Sequence, residues 1–294
     1  MHLRVGSRGS KLALAQTETV ISRLSALDIT AEKVVIATQG DTTTGVPLHE
    51  IGGQGVFVRA LDDAILAGEI DCAVHSMKDI PAYRPSGLIT AAVLKRDPPN
   101  DYLAYTKTLN EVQVVGTSST RRRAQLLRHD PELIIKDLRG NVDTRIRKLD
   151  AGDYDAIVLA EAGLNRLSIR VPGEQLPVKK FVPSPNQGTV AVVSRADPSL
   201  REILSALDDP GTRTDVAAER AVMEQLGGGC FTPLGIYCHS GHLIAEVLSP
   251  EGNRTERIET DVQTLEKARE QGRILRDRAA DLIAAAHAAL KVKL

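Results

Sequence analysis

The chain contains no tryptophan, and aromatic residues make up only 3% of its 294 positions. Proteins that hold single-stranded nucleic acid stack bases on aromatic platforms, so this composition argues against that class. Cysteine is equally scarce. Cys72, Cys230 and Cys238 form no Cys-x-x-Cys pair, and their odd number disfavours a disulfide framework. A reducing compartment, the cytoplasm, is the expected setting. No apolar run approaches the roughly 20 residues of a membrane span. The longest, DLIAAAHAAL at 281–290, reads as the apolar face of a C-terminal helix. The opening MHLRVGSRGS carries two arginines and two glycines, unlike a secretion signal. With a net charge of -1, no global field recruits nucleic acid or an anionic membrane. Any basic site must be local.

What is present is ordinary globular material, 42% hydrophobic and 26% charged, long enough for two or three domains. The first part alternates strand and helix patterns: LRVGS, then a helix KLALAQTETVISRL capped by Ser10, the strand EKVVIA, the helix GVFVRALDDAILAG, the strand DCAVHS and then LITAAVL. This grammar predicts a parallel sheet with helices on both faces. A second stretch repeats it. VQVVGTSSTRRRAQLL echoes LRVGSRGSKLALAQ, and Ala-Gly-acid-x-Asp recurs at 67–71 and 151–155 before a buried strand. The expected fold is therefore α/β: two doubly wound domains resembling solute-binding proteins, followed by a smaller α+β domain. Domain 1 is expected to be discontinuous, 1–96 and 187–208. Domain 2 covers 97–186 and domain 3 covers 209–294, with hairpin strands LGIYCHS, LIAEVLS and TERIETD before a long helix.

The chemistry is expected where strands end. In GTSSTRRRAQ, Thr117, Ser118 and Ser119 sit at a helix start, where backbone amides and the macrodipole favour an anion. Arg121, Arg122 and Arg123 add guanidinium forks suited to carboxylate or phosphate. Residues 119–148 hold nine Lys or Arg against four Asp or Glu. Next, LRGNVDTRIRKLD reads as a strand ending at Arg139 and a helix starting at Asn141 that carries Arg145 and Arg147. GSRGS places Arg8 and Ser10, and VHSMKDIP places Ser76, Lys78 and Asp79, at corresponding strand ends of the first domain. Asp79 stands out as one carboxylate among cations, either ion-paired or contacting an N–H donor. Segment 38–58 reads as a lid or as a surface insertion. CHSGH lies in a strand and turn, so Cys238, His239 and His242 are expected at the surface and no metal site is expected. Finally, Cys230 follows Gly227, Gly228 and Gly229, a loop that lets something approach its sulfur closely.

Taken together, VGSRGSKLALAQT, GGQGVFVRALDDAIL, DCAVHSMKDIP, GTSSTRRRAQL, LRGNVDTRIRKLDAGDYDAIVLAEAGLNRL, NQG and AERAVMEQLGGGCFTPLG resemble the porphobilinogen deaminase family over essentially the whole chain. The resemblance implies a dipyrromethane cofactor joined through a thioether to Cys230. It implies four head-to-tail condensations of porphobilinogen with loss of ammonia, then release of 1-hydroxymethylbilane. Asp79 matches the catalytic aspartate. Cofactor binding falls to Arg8, Ser10, Ser76, Lys78, Asp79, Thr117, Ser118, Ser119, Arg121, Arg122, Arg139, Asn141, Arg145, Arg166 and Gln187, with Gln187 in a Gln-Gly hinge. Substrate contacts fall to Arg8, Ser10, Phe57, Arg139, Arg145 and Arg166. A monomeric cytoplasmic transferase without nucleic-acid or membrane partners follows. The rival reading, a two-lobed binding protein for a polycarboxylate anion, needs neither Asp79 nor a third domain nor Cys230.

Overall fold

The computed structural model describes residues 2–37, 56–82, 84–227 and 232–291. Cys230 and the 38–55 loop lie outside the described residues, and of Phe57 only its place in a helix is described. The chain opens with β1 (His2–Ser7), α1 (Lys11–Ser25), β2 (Thr30–Val35), α2 (Val56–Leu66), β3 (Cys72–Ser76) and β4 (Leu88–Val93). Next come β5 (Asp101–Tyr105), β6 (Val114–Gly116), α3 (Thr120–His129), β7 (Ile134–Lys136), α4 (Val142–Asp150), β8 (Ala156–Ala160), α5 (Glu161–Arg166) and β9 (Gly173–Gln175). β10 (Val190–Arg195), α6 (Pro198–Ser205) and α7 (Pro210–Gln225) follow. The chain then forms β11 (Leu234–His239), β12 (His242–Leu248), β13 (Thr255–Asp261), α8 (Leu265–Arg278) and α9 (Ala280–Lys291).

Two compact units result: Met1–Asp97 with Gly188–Arg213, and Pro98–Gln187 with Thr214–Leu294. The first holds a five-stranded sheet in the order β2-β1-β3-β10-β4. The second holds a sheet in the order β7-β6-β8-β5-β9 and an antiparallel three-stranded sheet, β11-β12-β13. The two five-stranded sheets are copies of one topology, as the sequence echo suggests. They are mixed rather than parallel. β10 runs antiparallel to β3 and β4, and β5 antiparallel to β8 and β9. Each reversed strand is the first strand formed after the chain crosses from the other unit, so it enters its sheet from the opposite end.

Strand composition follows burial. CAVH in β3 and AIVL in β8 are covered on both faces and read as continuous apolar runs. Helix α1 shows the other pattern, burying Ala13, Gln16, Thr17, Val20 and Leu24 at helical spacing. The first unit's core joins Leu3, Val5, Cys72, Val74, Val192, Leu200 and Leu204. Cys238 is buried at 1% exposure, not at the surface as its turn-rich context suggests, because its side chain faces the α7–α8 core of the three-stranded sheet.

Within the second unit, the two sheets are tied by charge and by shape. The buried Glu246 carboxylate of β12 accepts from Gln125 Nε2 and Arg128 Nη1 of α3, each at 2.9 Å, and from Arg257 Nη1 at 3.3 Å. Gly252, in the β12–β13 turn, has φ +75° and lies against α3, where a Cβ would overlap the Ala124 carbonyl and come 2.7 Å from Arg128 N. Gly252→Ala is expected to cost more than about 2 kcal/mol, because backbone cannot yield to it. Gly152→Ala, at φ +80° but in open space, is expected to cost only about 1 kcal/mol. Urea unfolding of the two variants checks the contrast.

Candidate anion-binding and catalytic site

Strand order determines where the chemistry collects. β1 and β3 are parallel neighbours, so the turns that follow them leave the same edge of the first sheet. β6, β7 and β8 do the same in the second unit. In an open α/β sheet the crevice at the carboxyl ends of such strands is the ligand site.

In the first unit, β1 leads to Arg8 and to Ser10, the N-cap of α1. The Ser10 oxygen accepts from Ala13 N at 3.3 Å. A capping hydroxyl accepts with its oxygen and keeps its proton to donate. β3 leads to Ser76, whose hydroxyl is held by Gln16 Nε2 at 2.8 Å, and then to a 3-10 turn, Met77–Asp79. Lys78 and Asp79 are both exposed there. Asp79 takes part in none of the ion pairs described for this unit, which are those of Asp71, Asp62, Asp208, Glu18 and Glu32. Behind the turn, His75 is buried, and its Nε2 has no hydrogen-bond partner. Burial, with the charges of Arg84 and Arg8, lowers its pKa to about 3.

The second unit repeats the first device. Ser119 caps α3 and accepts from Arg122 N at 3.4 Å. The neighbouring side chains are committed internally. Thr117 is buried and accepts from Ser119 N at 3.2 Å, and Ser118 Oγ donates to the Leu138 carbonyl at 3.0 Å. β7 ends at Lys136, so Arg139 stands three residues beyond the strand rather than closing it. Asn141 is the N-cap of α4, with its side chain unused for capping. Arg166 lies in the last turn of α5 and is half-buried.

Arg121, Arg122 and Gln187 gather on one buried carboxylate. Arg121 is 5% and Arg122 7% exposed, and both guanidinium groups close on the Asp101 carboxylate at 2.7 Å. Gln187 Nε2 donates to the same carboxylate at 2.9 Å and to the Pro99 carbonyl at 2.8 Å. Burial alone would raise the Asp101 pKa. The two arginines overcome it and hold the carboxyl well below the usual range. The run of three arginines is legible in the sequence. Asp101, twenty residues away at a boundary rich in proline, is not.

Arg145 is the opposite case. Its Nε donates to the Gly140 carbonyl at 2.8 Å, and no ion pair described in this unit includes it. Burial, then the nearby Arg122 charge, lowers its pKa to about 10. Sequence reasoning also missed Gln16 and the Arg84–Asp62 pair, since neither sits in a motif.

Two outcomes follow. Arg122→Met, which strips a buried carboxylate, is expected to cost about 3–5 kcal/mol, whereas Arg145→Met leaves stability unchanged or higher; thermal melts compare them. His75 binds fewer protons folded than unfolded, so its contribution is complete above about pH 6.5 and is lost as pH falls toward 3. His75→Gln is expected to flatten the fall in stability between about pH 6.5 and about pH 4, read by urea midpoints across that range.

Residues 3–202 match the porphobilinogen deaminase dipyrromethane cofactor-binding domain, and residues 214–281 match the C-terminal domain of that family. A protein of Methanosarcina acetivorans described as a probable porphobilinogen deaminase is 51% identical over 283 residues, covering 91% of this chain and 89% of its own. A porphobilinogen deaminase of Rubrobacter xylanophilus is 46% identical, covering 85% of each. Among solved structures, the methionine-binding protein MetQ aligns with 75% of this chain and 93% of its own at a TM-score of 0.43 and 13% identity. With both of its domain models matched in order, the chain belongs to the porphobilinogen deaminase family, enzymes of tetrapyrrole biosynthesis that work with a dipyrromethane cofactor.

Proposed function

We propose that this enzyme is a transferase that joins four porphobilinogen molecules head to tail, releasing ammonia each time, and then frees 1-hydroxymethylbilane by hydrolysis. The dipyrromethane group, bound as a thioether to Cys230, supplies the pyrrole terminus to which substrate is added. Arg145 is the observation that carries the reading. A half-buried guanidinium held by one carbonyl, with its pKa lowered to about 10, gains directly from a carboxylate brought by a ligand. Each pyrrole unit brings an acetate and a propionate. The donor set suits them: Arg8, Ser10 and Lys78 in the first unit, and Ser119, Arg139, Arg145 and Arg166 in the second.

Asp79 takes the catalytic role. Loss of ammonia leaves the substrate as a cation stabilised by its pyrrole nitrogen. An exposed carboxylate at the end of β3 can stabilise that charge and accept a proton from the N–H group. Gln16 keeps the adjoining Ser76 hydroxyl in place. Phe57 and the 38–55 segment are assigned to substrate contact and closure. The division into 1–96 with 187–208, 97–186 and 209–294, the monomeric state and the cytoplasmic setting belong to the same proposal. The separate sheets β7-β6-β8-β5-β9 and β11-β12-β13 support the second boundary.

The test is the intact mass of the protein with peptide mapping. Two pyrrole units are expected on Cys230, while Cys72, whose thiol burial pushes up to about 12, stays unmodified along with the buried Cys238. A Cys230 that remains bare after incubation with porphobilinogen overturns the reading.

A further inference from the structure

Away from the strand ends described above, the second unit contains a recess of about 250 Å³ lined by Gln125, Arg128, His129, Lys179, Lys180, Phe181 and Arg257. Four of these carry fixed positive charge, in a chain of net charge -1. Among the described residues, the carboxylates that reach them are Glu246, below Arg128 and Arg257, and Glu259, paired with Arg257 and within electrostatic range of Lys179. Four cations against two carboxylates leave an excess of about two charges. His129 adds a third on protonation, and Asp130 follows it in the chain.

The recess is built rather than incidental. Arg128 Nη2 donates to the Lys180 carbonyl at 2.5 Å, and Arg257 Nη1 donates to the Lys179 carbonyl at 2.8 Å. Both arginines are themselves anchored on the fully buried Glu246. The backbone that carries the two lysines is thus stapled from both sides. Phe181 is buried beneath it, with the His129 ring set edge-on at 5.8 Å. Neither lysine takes part in an ion pair described for this unit, and both are exposed. A surface that fixes its backbone yet leaves two ammonium groups outside every ion pair described for this unit is arranged to receive negative charge from outside.

We infer that this recess is a second anion site, separate from the strand-end site, which binds a small molecule carrying at least two phosphate or carboxylate groups. The inference stands on the recess alone and does not depend on the reading of Asp79 or Cys230. Isothermal titration of the whole protein at about 0.1 M salt tests it. The two probes are inorganic pyrophosphate and benzene-1,2,4,5-tetracarboxylate. Saturable binding of either is expected, with a component that persists in Arg145→Met and is weakened about tenfold or more in Lys179→Ala/Lys180→Ala. The double variant Arg273→Ala/Arg276→Ala removes equal charge from exposed positions on α8 and should bind as the parent does. Stronger binding of pyrophosphate identifies a phosphorylated ligand, and stronger binding of the tetracarboxylate a polycarboxylate one. No saturable binding of either probe, undiminished binding in the lysine variant, or equal loss in the α8 variant overturns the inference. All four positions substituted in the two double variants are exposed, so these variants are expected to fold.

Discussion

The second unit is organised around one buried carboxylate. Asp101 opens β5, the reversed strand of its sheet, and collects Arg121, Arg122 and Gln187 in a space closed to water. Moving these charges out of water is expensive, and the arrangement is stable only because every partner is present at once. Its consequences are positional. Arg121 also reaches the Val182 carbonyl and Arg122 the Val158 carbonyl, so the first turn of α3 is held to β5, to β8 and to the 182 segment together. Ser119, one residue before that turn, is placed by the same contacts.

Division of labour among the arginines follows from this. Adjacent guanidinium groups repel, and a cluster of them persists only where carboxylates separate them or where a ligand does. Asp101 serves the buried pair. Glu246 serves Arg128 and Arg257. Among the described residues, Arg145 donates to the Gly140 carbonyl and feels the Arg122 charge, with no carboxylate in an ion pair with it. Neighbouring residues of one type thus differ in whether a buried carboxylate neutralises them.

The two five-stranded sheets solve the same problem twice. In each, a serine follows a central strand and caps a helix through its oxygen, which leaves its hydroxyl proton able to donate. The copies differ in what surrounds the cap. In the first unit a 3-10 turn presents Lys78 and Asp79. The second unit presents cations instead, among them Arg139 and Arg145. An exposed carboxylate therefore follows a strand end of one copy, and arginines follow the strand ends of the other.

Local order was written into the chain and could be read from it: Ser10 as a cap, Ser119 at a helix start, the buried runs of β3 and β8, the echo between the two halves and the placement of Arg8, Lys78 and Asp79 after strands. These features depend on residues within a turn or two of one another, where periodicity and capping chemistry act directly. The family motifs carried the function for the same reason, since each is a short segment. What the sequence alone left open were relations between distant segments. Only tertiary contact made Arg121 and Arg122 internal, by bringing Asp101 to them across twenty residues, and brought Glu246 to Arg128 across 118 positions. Only sheet assembly reversed β5 and β10 and buried Cys238. Burial and charge pairing are set by what arrives from elsewhere in the chain, and no local pattern encodes that arrival.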